Sequence, residues 1–499
     1  MEMQFDKNPV EYLQKLSGGL RSQEQTLEVR LPDGMPDIGR VLGAWGQVIV
    51  RSKEWSSDAI SVSCGVMVWV LYAPEDEDTV RSVEAWLPIS VKWDLPDTRR
   101  DGKILVSCLL KGVDARSTSA RKLLVRADLD VLGQAWQPAQ AQVAFPGDLP
   151  EDVQILKATY PVLLPREAGE KAFLLEDQIN PPANGPKPEK LICYTMHPEV
   201  LDQKVMAGKV VFRGNGMLHI LYRGEDGRVY TWDFDLPFSQ YADLDMEYGQ
   251  DAGVSVQPCM TSLDVAMNED GSLQVKAGIL GQFVLCDRSM ITTLEDAYSP
   301  RRKVETIREQ LELPAILEQN TQPISAEQTL QLDARQIADL TFYPSYGQME
   351  RTDAGARIPL PGRFQVLYYD DNDELHSAVT PWAGEWSANM ADTSRLDIRI
   401  APMGKPQASL GAGSVNLRGE MQLDTAISAG QGIPMVTDLE LGEAEKPDPG
   451  RPSLILCRKG ARSLWDLAKA SDSTVDAIRE ANHLETEPEE SCILLIPVM

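Results

Sequence analysis

Short runs of apolar and β-branched residues alternate with acidic or glycine-containing turns along the first 440 residues. The run at 65–72 has the length and composition of a buried strand. The runs at 217–222 and 229–234 flank Asp226-Gly227, which supplies the positive φ of a hairpin turn. Helical periodicity is poor throughout this region. The pattern therefore predicts a mainly β fold built from antiparallel, sandwich-like sheets.

Two aliphatic residues followed by tyrosine occur three times in this region. The tyrosines, Tyr72, Tyr222 and Tyr368, lie 150 and 146 positions apart. An acidic turn, a proline and a further strand-like run follow each tyrosine in the same order and at nearly the same spacing. Such self-similarity indicates an internal repeat. We expect β-sandwich-like repeats at 20–165, 170–305 and 316–440, a linker at 441–452, and a small domain at 453–499.

The last 47 residues follow a different pattern, of strand, helix, helix and strand. A short strand is predicted at 453–460 and a closing strand at 492–497. Ser463 and Asp466 have the spacing of a capping box at the start of the first helix, and Thr474 is placed to cap the second. The sequence therefore predicts a compact βααβ domain after the linker.

The chain carries a formal charge of −27, which disfavours binding to nucleic acid or to anionic membranes because a surface this acidic repels phosphate groups. The longest basic cluster, 301–303, is best interpreted as a solvated linker. We expect no transmembrane segment, because no apolar run approaches the length of about 18 residues needed to cross a bilayer.

The N-terminal segment has no apolar core that an export machinery would recognise, so we expect the protein to stay inside the cell. The seven cysteines are scattered and form no CxxC pair. We therefore expect mostly buried thiols in a reducing compartment, with neither a zinc site nor a disulfide framework.

Residues that could support catalysis are few. The four histidines share no metal-ligand spacing, and His219 lies in a strand-like run that favours a structural role. Cys193 and His197 could in principle form a thiolate–imidazole pair, but no nucleophile motif surrounds them. The acidic run at 370–374 lacks the alternating ligands and glycine of a calcium loop, which favours a solvated hairpin end. We expect no enzymatic activity, no cofactor and no metal.

The C-terminal segment resembles a LysM domain. The resemblance rests on 459–460 (Lys-Gly), 464–465 (Leu-Trp), Ala468, 478–482 (ending in Asn) and 495–497 (Leu-Ile-Pro). It implies a βααβ fold that binds ligands through the loop after the first strand and the loop before the last one. The ligand- or partner-binding residues that it implies are Lys459, Gly460, Arg462, Trp465, Asn482 and Leu484.

Two features of this copy leave the ligand open between glycan and protein. Gly460 is followed by Ala461-Arg462-Ser463 where LysM domains have Asp-Thr, and Glu490-Ser491 replaces the usual Pro-Gly. Lys459 and Arg462 are suited to an acidic partner. Trp465 either lines a groove or packs between helix and sheet, and packing is the commoner arrangement.

The second repeat is similar to the SPOCS module of endospore-forming bacteria, at 204–210, 221–222, 236–239 and 270–271, and the other two repeats share its anchors. SPOCS modules followed by LysM resemble the SipL and SpoVID type of spore-coat morphogenetic protein. That family implies a scaffold in the mother-cell cytoplasm that tethers coat proteins to the forespore surface. The partners implied are the basal-layer ATPase of the coat, other coat proteins, and peptidoglycan or a lipid-linked precursor. The alternative is an exported cell-wall protein that binds peptidoglycan or another N-acetylglucosamine glycan.

Overall fold

The computed structural model describes residues 3–77, 79–95, 102–181, 185–249, 251–444 and 450–499. Strands dominate this part of the chain, which confirms the predicted mainly β fold. Residues 445–449 of the expected linker lie outside the described residues. None of the helices described is long and apolar enough to cross a membrane.

In the described residues, nineteen strands precede the C-terminal segment and fall into three consecutive units. The first unit comprises β1 (Phe5–Arg30), β2 (Ile38–Trp55), β3 (Ala59–Pro74), β4 (Arg81–Asp94), β5 (Lys103–Ser119) and β6 (Lys122–Pro146). The second comprises β7 (Gln154–Ile179), β8 (Pro188–Met206), β9 (Lys209–Gly224), β10 (Val229–Asp243), β11 (Gly253–Met267) and β12 (Leu273–Tyr298). The third comprises β13 (Val304–Gln331), β14 (Gln336–Pro344), β15 (Glu350–Thr352), β16 (Gly355–Tyr369), β17 (Leu375–Asn389), β18 (Arg395–Leu410) and β19 (Ser414–Leu441).

The three units share one pairing scheme, with all pairs antiparallel. One sheet joins the first, last and penultimate strands, in the orders β1-β6-β5, β7-β12-β11 and β13-β19-β18. The other joins the three strands between them, in the orders β2-β3-β4, β8-β9-β10 and β14-β16-β17, with β15 added to β16. Each unit begins upstream of the expected positions 20, 170 and 316, because its first strand pairs along its whole length with its last.

A β-bulge recurs at the same place in the second strand of each unit. The register skips Leu42, Ile192 and Ala338, which are 150 and 146 positions apart, the same spacing as the tyrosines. A bulge turns an extra side chain out of the normal alternation. All three bulged residues are buried in one core to which every unit contributes.

The leucine of each aliphatic–tyrosine motif faces this shared core. Leu71, Leu221 and Leu367 are each at most 1% exposed there. The tyrosine that follows points to the opposite side of its strand, and the hydroxyls of Tyr72 and Tyr222 donate to carbonyls 36 residues upstream in their own units. Since burying one leucine stabilises by about 2 kcal/mol, the shared core makes the units mutually dependent.

Contacts at the hairpin ends link each unit to the next. Arg223 of the second unit donates to the carbonyl of Val80 in the first, at 3.2 Å. Arg228 pairs with Asp373 of the third unit, at 2.8 Å. Arg40 of the first unit donates to the carbonyl of Leu375 in the third, at 2.9 Å. As predicted, 371–374 form an exposed hairpin end, and Asp373 within it also pairs with the second unit.

The C-terminal module (453–499) consists of β20 (Leu454–Arg458), α1 (Leu464–Ala470), α2 (Val475–Asn482) and β21 (Ile493–Pro497). β20 and β21 pair antiparallel. The predicted capping box of Ser463 and Asp466 is present, and the Thr474 side chain caps α2 as predicted. The helices cover one face of the two-stranded sheet and enclose a small core.

All seven cysteines are free thiols, and Cys64, Cys193, Cys259 and Cys286 are buried. The expectation of mostly buried, unpaired thiols is confirmed. Burial raises the pKa of Cys259 and of Cys286 to about 12, so both remain protonated at neutral pH.

Candidate docking site in the C-terminal module

The C-terminal module is anchored to the second unit through helix α1. The indole Nε1 of Trp465 donates to Asp296 Oδ2 at 2.8 Å, and Lys469 Nζ lies 2.7 Å from the same oxygen. Arg308 of the third unit also pairs with Asp296. Burial alone would raise the pKa of Asp296, but Lys469 and the Trp465 N–H hold it below its usual value. Asp296 therefore acts as an anionic anchor for α1.

Tyr298, at the end of β12, completes this anchor. Its ring packs edge-on against Trp465 with centroids 4.7 Å apart, and it belongs to the core of the C-terminal module. Its hydroxyl donates to the carbonyl of Ser473 at 2.9 Å. Burial and the nearby carboxylate of Asp296 raise the pKa of Tyr298 to about 12. The N–H and the ring of Trp465 therefore both contact the second unit.

Three of the predicted site residues lie together on the loop after β20. Lys459 is 7% exposed and its Nζ lies 3.5 Å from Glu487 Oε1. Gly460 has a φ of 59° and donates its N–H to the carbonyl of Glu490 at 3.0 Å. Arg462 is exposed. The acidic segment before β21 therefore holds this loop in place, and Arg462 is the member that reaches solvent.

The other two predicted residues support the fold of the module. The Asn482 side chain accepts from the N–H of Leu495 at 2.8 Å and donates to the carbonyl of Leu495 at 2.6 Å. It also donates to the carbonyl of Ile478. Leu484 packs, partly buried, against the core of the module. Asn482 and Leu484 therefore stabilise the module itself and do not form one surface with the loop at 459–462.

An apolar surface that the sequence reasoning missed lies on the outer face of the β20–β21 sheet. Leu454, Leu456 and Ile493 are 51%, 69% and 64% exposed, and Leu495 beside them is also exposed. The sequence already indicated this surface, because β20 and β21 are apolar on both faces except at Arg458. A strand with only one buried face would have polar residues at these positions.

A cavity of about 850 Å³ lies where the three units meet. One wall carries His219, whose Nδ1 lies 2.6 Å from Asp233 and whose Nε2 lies 2.9 Å from Asp339. Asp339 also accepts from the indole of Trp45 at 2.8 Å. Burial opposes a charge on His219, but Asp339 and Asp233 raise its pKa to about 10. The imidazolium and its two carboxylates therefore join all three units.

The arginine and the second histidine of this cavity are paired and neutral, respectively. Arg399 pairs with Asp424 on the opposite wall. Burial and the nearby Arg399 lower the pKa of His197 to about 4, so its imidazole is neutral. Burial raises the pKa of Cys193, which faces the shared core. In the described residues no hydrogen bond joins Cys193 to His197.

Asp370, Glu374 and His376 bring one ligand atom each within 4.8 Å of one another. Arg40 Nη1 lies 3.3 Å from His376 Nδ1 and is always a donor, so Nδ1 accepts and Nε2 carries the proton. Nε2 then points to Asp370 at 3.3 Å. This hydrogen-bonding pattern closes the third unit against the first and occupies the imidazole that a metal ion would need.

Comparison with known protein families gives a match within the second unit. Residues 187–267 match the family described as SipL, SPOCS domain. The matched segment runs from the start of β8 to the end of β11, within the second unit. No curated protein and no protein of solved structure matches the chain. The match supports a SipL-type, sporulation-related protein.

Proposed function

We propose that the chain is a non-enzymatic scaffold of endospore coat assembly, which tethers coat morphogenetic proteins to the forespore surface from the mother-cell cytoplasm. The SPOCS match in the second unit carries this proposal. The first and third units have the same strand order and the same bulge, which supports assigning them as further SPOCS-type repeats. The βααβ order of the C-terminal module supports a LysM domain.

The docking role falls to the C-terminal module. Its exposed apolar sheet face and the exposed Arg458 and Arg462 differ from the acidic surface that the rest of the composition produces. Apolar surface rimmed by charge is typical of protein-binding sites. The basal-layer ATPase of the coat is the partner we propose for this surface, with other coat proteins bound by the β units.

The non-enzymatic part of the proposal is supported by how the central cavity uses its ionisable groups. His219 and Arg399 are each neutralised by aspartates. A reaction centre needs groups whose protonation is poised for transfer near the working pH. Here His219 is held protonated, with a pKa of about 10, and His197 is held neutral, with a pKa of about 4.

Co-sedimentation with the purified, polymerised basal-layer ATPase tests the docking role. We expect the full chain to sediment with the ATPase and a chain ending at residue 452 to remain in the supernatant. Circular dichroism of the shortened chain checks that the three units stay folded. Equal sedimentation of both chains would remove the docking role from the C-terminal module.

Titration of the full chain with chitin oligosaccharides and muropeptides tests the alternative of a glycan-binding cell-wall protein. We expect no saturable binding, because the Trp465 indole already packs on Tyr298 and donates to Asp296. Saturable binding that is lost in Trp465→Ala, with the β units still folded, would favour the alternative.

A further inference from the structure

Strand β20 has one edge without a partner among the described residues. Ser453 accepts from Val498 and Lys459 donates to Cys492, which fixes the odd-numbered residues of β20 as those that bond to β21. In an antiparallel pair the backbone groups of alternate residues point to opposite edges. The N–H and C=O groups of Leu454, Leu456 and Arg458 therefore point away from β21.

The opposite edge of the two-stranded sheet is closed. Asn482 bonds with its side-chain amide to both the N–H and the C=O of Leu495, as a neighbouring strand would. A third bond, to the carbonyl of Ile478, fixes this side chain to α2. The outer edge of β21 is therefore capped at Leu495, whereas β20 has no such cap among the described residues.

The open edge adjoins the apolar face of the same sheet. Leu454 and Leu456 project onto that face from β20, beside Leu495 and Ile493 of β21. An open, apolar edge strand is a template for strand addition, and natural proteins normally protect such edges with charge or proline. Here the only charged residue within β20 is Arg458, at its last position.

Charge indicates which kind of segment the edge accepts. Arg458 and the nearby Arg462 are exposed at one end of β20, and Arg458 forms no ion pair with the described residues. An acidic side chain at the matching end of an added strand would meet these guanidinium groups. A second copy of the chain fits poorly, because two chains that each carry a charge of −27 repel one another.

We propose that the edge of β20 binds an extended segment of a partner protein by strand addition, with apolar residues at alternate positions and a carboxylate at the end next to Arg458. Backbone hydrogen bonds from Leu454, Leu456 and Arg458 hold the segment. The apolar face favours apolar side chains at those alternate positions of the segment that lie on the same face. This inference deepens the proposed function, since it assigns the surface through which the module docks.

Hydrogen exchange of the full chain, measured by mass spectrometry, tests the site with a synthetic peptide as the probe. The probe is an acetylated and amidated peptide in which valine and threonine alternate after one aspartate; its control has lysine in place of the aspartate. We expect saturating probe to slow exchange in the segment 454–458 about tenfold, by burying its outward amides. Unchanged exchange at millimolar probe would overturn the proposal.

Variants at the edge separate strand addition from a simple apolar contact. Leu456→Pro removes an N–H that points away from β21, so it leaves the β20–β21 bonds intact but blocks an added strand. Leu456→Thr keeps the N–H and removes the apolar contact. We expect Leu456→Pro to abolish protection and Leu456→Thr to weaken it. Leu174→Thr, at an exposed leucine of β7, is the matched control and should bind as the unmodified chain does.

Binding of the same variants to the basal-layer ATPase distinguishes this inference from the proposed function. If the peptide protects β20 but the ATPase does not bind the full chain, the edge site stands and the ATPase is the wrong partner. If the ATPase binds the unmodified chain and Leu456→Pro equally, the docking role stands and strand addition at β20 is wrong.

Discussion

Replacing Asp339 by asparagine should loosen all three units at once. The Asp339 side chain is 1% exposed, accepts from Trp45 of the first unit and faces the imidazolium of His219 in the second. Asparagine replaces the two acceptor oxygens of the carboxylate by one acceptor oxygen and one NH₂ donor. His219 then loses the negative charge that its Nε2 faces at 2.9 Å, and the amide NH₂ must face either this nitrogen or the Trp45 N–H.

The magnitude follows from the loss of a buried charge partner. Removing one member of a buried ion pair costs about 3 to 5 kcal/mol, because the remaining charge is left uncompensated. His219 can still share its charge with Asp233, at 2.6 Å from Nδ1, and its side chain is 25% exposed, so the expected loss is near the lower end. We therefore expect Asp339→Asn to lower the free energy of unfolding by about 3 kcal/mol.

Urea unfolding followed by tryptophan fluorescence and by circular dichroism measures this loss. Asp233→Asn is the matched control, because Asp233 bonds to the same imidazole but is 31% exposed and solvent can replace it. We expect a loss of about 1 kcal/mol for the control. A loss below about 1 kcal/mol for Asp339→Asn, or equal losses for both variants, would refute the view that this buried pair joins the units.

Three further predictions concern His219, Asp296 and Asn482. Folding raises the pKa of His219 from about 6.5 to about 10, so its charge should stabilise the folded chain fully below pH 6.5. This stabilisation should disappear as the pH rises through about 10. The free energies of unfolding of the unmodified chain and of Asp339→Asn, measured against pH, should therefore converge above that pH. Asp296→Ala should release the C-terminal module, measured as faster proteolysis near residue 450 and a shift of Trp465 fluorescence, whereas Glu295→Ala beside it should not. Asn482→Ala should cost about 2 kcal/mol in stability of the module, seen as faster hydrogen exchange at Leu495, and unchanged exchange would contradict its role at the edge of β21.

The strand composition and the repeated tyrosine motif were readable from the sequence because each depends on local residue order. The sequence did not show on which side of its strand each residue of the motif packs. Leu71 and Tyr72 are both buried, but one faces the shared core and the other its own unit. A strand that is apolar on both faces does not tell which neighbour covers each face.

The candidate site shows the same division. The capping residues of α1 and α2 were predicted correctly, since a cap depends on residues three apart. The partner of Trp465 is Asp296, 169 residues away, and no local pattern points to it. The structural role of Asn482 could not be predicted either, because the LysM resemblance identifies the residue but not its hydrogen bond to Leu495.

The position of the chain in sporulating cells tests the proposed scaffold role most directly. A fluorescent fusion of the full chain should form a shell around the forespore, and the same fusion ending at residue 452 should be spread through the mother cell. A shell formed equally well without the C-terminal module would contradict the account.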